Sequence, residues 1–156
     1  MIQIVLIHPQ PVYRKGLSLL LKHGIEGLKR VASAGNLRDL LEQYRGATID
    51  VVIWDIPSHH ALNPGARILK ECYPLAKLLV LVSSSNTVYA GLLETLGANA
   101  VLPADCQVTE LYDAILKIHQ SYAPPPSSNH VQEPFAKHIK PRLKNIELQS
   151  NKSKIK

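Results

Sequence analysis

Asp55 is the residue whose position in this sequence most clearly points to chemistry. It directly follows an apolar run, residues 51–54, where a carboxylate must face solvent, pair with a cation or bind a metal. His8 and Ser83 also follow apolar runs, and Asp105 comes shortly after another. Open parallel sheets place their ligands at the carboxyl ends of the strands. We therefore expect these four side chains at one edge of a sheet, with His8 close to Asp55.

Two other polar clusters have plainer explanations. His59 and His60 could join His8 and Asp55 as nitrogen and oxygen ligands for Zn²⁺. Adjacent histidines do not easily both point inward, so we favour a solvated polar loop and predict no metal site. The three serines at 83–85 favour a short loop and helix cap, since no strained elbow or glycine-rich loop accompanies them. Because no nucleophile, base and orienting group form a set, we predict that the chain is not an enzyme.

Apolar runs alternate with segments of helical period through residue 121, and this alternation defines the elements that must position Asp55. The predicted strands are residues 3–7, 29–32, 50–54, 78–82 and 100–102. The predicted helices are residues 13–23, 37–44, 66–73, 88–96 and 109–120. Pro64 and Gly65 are expected to precede the third helix, and Gly97 to end the fourth. Five strands alternating with five helices predict an α/β fold with a parallel sheet covered on both faces.

Composition and charge divide the chain in two. Of its 156 residues, 46% are hydrophobic and 19% charged, which is typical of one soluble domain. Residues 1–122 hold 11 Lys/Arg and 10 Asp/Glu, a net charge of +1, whereas residues 123–156 hold 7 and 2, a net charge of +5. We expect residues 123–156 to be a Pro/Ser spacer and a basic tail that is disordered or ordered only by a partner.

The chain is expected to be cytoplasmic and to have no contact with a membrane. No apolar run approaches the roughly 20 residues of a membrane span, and the first residues have neither the charged region nor the cleavage site of a signal peptide. Cys72 and Cys106 have no metal or redox spacing, and we expect them to be reduced thiols.

Residues 1–121 resemble the receiver domain of bacterial response regulators, closest to the subgroup that usually carries a LuxR-type helix-turn-helix. The order and spacing of five segments carry the resemblance: residues 4–7, 11–17, 50–56, 79–84 and 96–100. The resemblance implies a flavodoxin-like (βα)5 fold, a doubly wound parallel sheet with strand order 2-1-3-4-5. The tail lacks the apolar face that a helix-turn-helix domain needs.

Two of the family's functional positions are kept in this sequence. Asp55 matches the aspartate that accepts a phosphoryl group from a sensor kinase, and Ser83 matches the hydroxyl residue that turns toward that group.

Four other positions depart from the family. His8 and Pro9 stand where two acidic residues normally hold Mg²⁺, Ala104 replaces a lysine, and Val101 replaces the switch aromatic. Mg²⁺ needs hard oxygen ligands at about 2.0–2.1 Å, and phosphoryl transfer needs cations that neutralise the moving charge. We therefore predict weak or absent Mg²⁺ binding and slow or absent phosphorylation.

Three functions follow from this comparison. We favour a pseudo-receiver in phosphorelay-type two-component signalling that acts through protein contacts largely independent of Asp phosphorylation. Its partner could be a sensor kinase, another regulator or a second copy of this chain. One alternative is a receiver that still accepts phosphate on Asp55. The other is a transcriptional regulator that binds nucleic acid weakly through its basic tail, which we consider less consistent with the sequence.

Overall fold

The computed structural model describes residues 1–121, whose strands and helices alternate along the chain. The strands are β1 Ile2–Ile7, β2 Leu28–Ala34, β3 Val51–Asp55, β4 Lys77–Val82 and β5 Ala100–Pro103. The helices are α1 Pro11–Gly24, α2 Leu37–Gln43, α3 His59–Cys72, α4 Ala90–Thr95 and α5 Val108–Gln120, with a 3₁₀ segment Ser84–Tyr89 directly before α4. The predicted spacer and basic tail, residues 123–156, lie outside the described residues.

All five strands are parallel and lie in the order β2-β1-β3-β4-β5. The predicted flavodoxin-like topology is therefore confirmed. The order reverses between β1 and β3, because the chain first moves from β1 to β2 and then crosses back. Right-handed crossovers consequently place α1 on one face of the sheet and α2, α3 and α4 on the other.

The two faces of the sheet have separate apolar layers. Alternate strand residues such as Ile4, Ile53 and Leu79 pack with Leu21 of α1 and Ile115 of α5 in one buried cluster. The intervening strand residues, which include the buried Val52 and Val80, point to the opposite face.

Helices α1 and α5 are held together by a contact between residues that lie far apart in the sequence. The Tyr112 ring of α5 lies directly over Gly24, where an added Cβ would overlap it. The Tyr112 hydroxyl donates a 2.6 Å hydrogen bond to the carbonyl of Leu20. The first and last helices therefore pack together on the same face of the sheet.

The predicted start of the third helix is wrong. Helix α3 begins at His59, seven residues before the expected start, and Pro64 lies inside it. The proline removes one helical N–H and normally breaks a helix. The helix continues because Leu62, before the proline, is fully buried on the same stripe as Leu69.

The fourth helix also differs from its prediction. Residues 84–89 form a 3₁₀ segment, and the α-helix covers only Ala90–Thr95. Only Leu93 is buried in this helix, so little packing holds the segment in regular α geometry. Gly97 has a φ of 121°, and Ala98 N–H donates to the Leu93 carbonyl at 3.0 Å, so the predicted glycine terminator is confirmed.

Among residues 1–121, no helix is long and apolar enough to cross a membrane.

Candidate functional site

The predicted site residues lie at the carboxyl edge of the sheet. Asp55 is the last residue of β3, His8 follows β1, Ser83 follows β4 and Ala104 follows β5. Strand β3 lies between β1 and β4, so Asp55 has His8 on one side and the end of β4 on the other.

Strand alternation gives Asp55 and His8 the same direction. Asp55 continues the alternate series of Val51 and Ile53, and His8 continues that of Leu6, all of which face α1 and α5. Both polar side chains therefore lie at the end of the apolar layer beneath α1.

His8 and Asp55 form the central pair of this site. His8 Nε2 lies 3.5 Å from Asp55 Oδ2, and the two side chains are 12% and 22% exposed. His8 Nδ1 accepts the Gln10 backbone N–H at 3.0 Å, which leaves the ring hydrogen of neutral His8 on Nε2, facing the carboxylate. Their predicted proximity is confirmed, although 3.5 Å is longer than a normal hydrogen bond.

Tyr13 holds the His8 ring from the first turn of α1. The two rings stack with centroids 3.9 Å apart and an angle of 19° between their planes. Burial raises the pKa of Tyr13, and the neighbouring Asp55 and then Cys106 raise it further. The phenol therefore lies within electrostatic reach of both groups. Sequence reasoning placed Tyr13 in the helix but missed this role.

Burial also raises the pKa of Asp55. The charge of His8 acts in the opposite direction but does not cancel the effect of burial. The carboxylate thus gives up its proton less readily than an exposed aspartate would.

The two positions that normally bind magnesium do not fit that ion. His8 offers a softer nitrogen, and exposed Pro9 has no side-chain ligand atom. Arg14 Nη1 instead donates to the backbone carbonyls of His8 at 2.6 Å and Pro9 at 3.2 Å. The Arg14 guanidinium therefore already binds the two carbonyl oxygens of this loop. Asp55 remains the one carboxylate among the matched positions that could bind Mg²⁺.

The other matched positions make contacts of their own. Ser83 is exposed, and its Oγ lies 3.1 Å from Ser85 Oγ. Ala104 is exposed, and its backbone N–H donates to the Val82 carbonyl at 2.6 Å. Val101 is partly buried in β5, opposite Val80.

His59 and His60 belong to the first turn of α3, so their predicted assignment to a loop is wrong. The ring of His59 stacks on Tyr89 with centroids 4.4 Å apart and lies 3.9 Å from the ring of His60. Within the described part of the chain, no three His, Cys, Asp or Glu side chains are grouped closely enough to hold a metal.

No protein-family model and no curated protein matches the chain, but many solved structures do. A response regulator from Thermotoga maritima has 20% sequence identity and a TM-score of 0.67, over 78% of this chain and 99% of that one. A LuxR family DNA-binding response regulator from Silicibacter pomeroyi has 22% identity and a TM-score of 0.63, over 82% and 100%. The non-phosphorylated HemR receiver domain from Leptospira biflexa has 17% identity and a TM-score of 0.62, over 80% and 98%. The chain therefore has the fold of response-regulator receiver domains.

Proposed function

We propose that this protein is a signalling module of the receiver type that acts through protein contacts without phosphorylation of Asp55. The observation that carries the proposal is the environment of Asp55. Its ion-pair partner among the described residues is His8 at 3.5 Å, in place of an acidic metal cluster and a lysine.

Physical chemistry disfavours phosphoryl transfer at such a site. The transferred group carries negative charge that Mg²⁺ and a fixed cation normally neutralise. Here one carboxylate would have to hold the metal, with its charge already opposed by burial. Ala104 supplies no cation at the lysine position. The proposal accordingly assigns no enzymatic activity and no resident cofactor to the chain.

The face formed by α4, β5 and α5 is the region where a partner or a second copy would bind. Leu93, Leu111 and Ile115 on these helices are buried and belong to the core. Val88, in the 3₁₀ segment next to this face, and Leu92 of α4 are 81% and 45% exposed, so both can contact a protein partner.

Treatment with Mg²⁺ and acetyl phosphate tests the proposal. We expect intact-mass spectrometry to detect no phosphoryl group on Asp55. The Asp55→Asn variant identifies any modification that occurs at other residues, because it cannot be phosphorylated at position 55. A variant combining His8→Asp, Pro9→Asp and Ala104→Lys restores the missing charges and serves as the matched control. We expect it to become modified under the same conditions.

Asp55-dependent modification of the unaltered chain within minutes would instead establish the alternative, a receiver that accepts phosphate. Asp55 and Ser83 are the two matched residues on which that alternative depends. The nucleic-acid alternative concerns the basic tail, outside the described residues, and stays a prediction.

A further inference from the structure

An apolar groove of about 300 Å³ lies between α1 and the start of α5. Its walls are Leu17 and Leu20 on one side and Val108 and Leu111 on the other, with Leu81 at its floor. Two other depressions in the described domain offer only about 10 and 20 Å³. The groove therefore has the size and lining of a small-molecule site, whereas those two depressions hold little more than a water molecule.

Helix α1 has a glycine, Gly16, where it lines the groove. Tyr13, Gly16, Leu17 and Leu20 follow helical spacing and line the groove from one face of α1. A Cβ added at Gly16 would meet no atom within 4 Å. Glycine inside a helix costs about 1 kcal/mol relative to alanine, so the open space is not required by backbone geometry. It leaves room for a bound molecule.

Two residues that line the groove, Leu81 and Tyr13, connect it to Asp55, which does not itself line it. Leu81 at the floor is the residue paired with Asp55 in the neighbouring strand, so their side chains point to the same face of the sheet. Tyr13 both lines the groove and stacks on His8, which faces Asp55. A molecule lying along the groove would extend past Tyr13 and Leu81 to reach the carboxylate.

Carboxylates bring negative charge to this end of the groove, where the Arg14 guanidinium is already engaged by the carbonyls of His8 and Pro9. The charge of Asp55 acts on Tyr13, and the charges of Glu110 and Asp105 act on Cys106; Tyr13 and Cys106 both line the groove. Apart from His8 at 3.5 Å, Asp55 has no hydrogen bond or ion pair with the described residues. A cationic group on a bound molecule would give this carboxylate a second partner, closer than the 3.5 Å contact with His8.

We propose that the groove binds a small amphiphilic molecule whose apolar body lies between α1 and α5 and whose amine head pairs with Asp55. The inference goes beyond the proposed function, because it does not depend on whether Asp55 accepts a phosphoryl group. It also gives a reason why the replacement of the family's lysine by Ala104 affects binding. A lysine there would extend from the lining of the groove, whereas the methyl group of Ala104 leaves it open.

Titration with octylammonium, 1-octanol and octanoate, each below its micelle concentration, tests the proposal on the full chain. We expect ¹H–¹⁵N spectra to show saturable shifts at groove residues such as Leu20 and Val108 with octylammonium. Octanol should bind about tenfold more weakly, because it lacks the charge-assisted hydrogen bond to Asp55, and octanoate more weakly still.

Three variants separate the two halves of the site. Gly16→Leu places its Cβ in open space, and its side chain is expected to fill the groove and abolish binding of octylammonium and octanol. Gly91→Leu, in α4, also enters open space and should leave binding unchanged. Asp55→Asn should keep octanol binding and remove the advantage of octylammonium.

The two cysteines provide an internal control in the same molecule. Both thiols are free and partly exposed, but only Cys106 of the pair lines the groove. Octylammonium should slow alkylation of Cys106 by iodoacetamide and leave the rate at Cys72 unchanged. Equal binding in Gly16→Leu, equal affinity for octylammonium and octanoate, or no protection of Cys106 would each overturn the proposal.

Discussion

For the single residue Asp55, two opposing effects determine the pKa of the side chain. Burial at the end of β3 disfavours its charge, and the neighbouring His8 favours it. Burial is the stronger influence, so the pKa of Asp55 lies above its ordinary value of 3.8. A receiver aspartate that must hold Mg²⁺ needs the opposite balance, because the metal binds the ionised form.

The raised pKa of Asp55 makes stability depend on pH. Well below pH 3.8 the carboxyl group is protonated in both the folded and unfolded states. As pH rises, the unfolded chain releases this proton first, so the stability that the folded state gains from holding it is lost as pH passes through the raised pKa. We expect the free energy of unfolding of the unaltered chain, relative to Asp55→Asn, to fall across this range. Urea unfolding at a series of pH values measures the difference.

His8→Gln provides the control for that measurement. It removes the charge that opposes the effect of burial on Asp55. The fall in stability should therefore persist and extend to higher pH than in the unaltered chain. A stability difference between the unaltered chain and Asp55→Asn that rises with pH would contradict the assignment of burial as the stronger influence.

The sequence predicts the His8–Asp55 pair because strand order and strand ends determine which residues meet. It does not predict the stacking of Tyr13 on His8 or the hydrogen bonds of Arg14 to the loop carbonyls. Both depend on how far α1 extends toward the sheet edge, and Pro11 starts this helix two residues earlier than expected. A tyrosine followed at helical spacing by Gly16, Leu17 and Leu20 was the available signal for the groove.

At the scale of elements, two helical glycines have opposite surroundings. Gly65 of α3 lies against the Trp54 ring, and an added Cβ would overlap it, whereas Gly16 of α1 faces open space. Gly65→Ala should therefore destabilise the fold by about 1–3 kcal/mol through overpacking. Gly16→Ala should stabilise it by about 1 kcal/mol through helix propensity. Thermal and urea unfolding measure the stability of both variants. Equal changes in the free energy of unfolding would show that helix propensity alone determines the effect of these substitutions.

The elements that the sequence predicts best are those with a strong apolar period. The five strands and helices α1, α2 and α5 lie within a few residues of their expected bounds. Helix α3 is missed at its start because Pro64 is a strong local signal, while the packing of Leu62 is tertiary. The 3₁₀ segment is missed because spacing alone does not separate it from an α-helix over six residues.

At the scale of the whole molecule, the core determines which residues are free to contact a partner. Ile115 is fully buried between α5 and the sheet, whereas Leu92 of α4 is 45% exposed. We expect Ile115→Ala to lower the free energy of unfolding by about 2–5 kcal/mol. Leu92→Ala should change it by less than about 0.5 kcal/mol. Chemical denaturation measures both.

Loss of partner binding in a stable Leu92→Ala variant would therefore report on the interface itself. The same loss in Ile115→Ala would report only on folding. A large stability loss in Leu92→Ala would contradict its assignment to the surface.

The contact of Tyr112 with Leu20 and Gly24 has a consequence during synthesis. The ribosome delivers the N-terminal helix long before the residue that covers it, since these partners are 92 positions apart along the chain. Until Ile118 has emerged from the exit tunnel, the strand residues beneath α5 have no lid and remain accessible to chaperones. The nascent chain is therefore expected to complete this half of its core only at the end of the domain's translation.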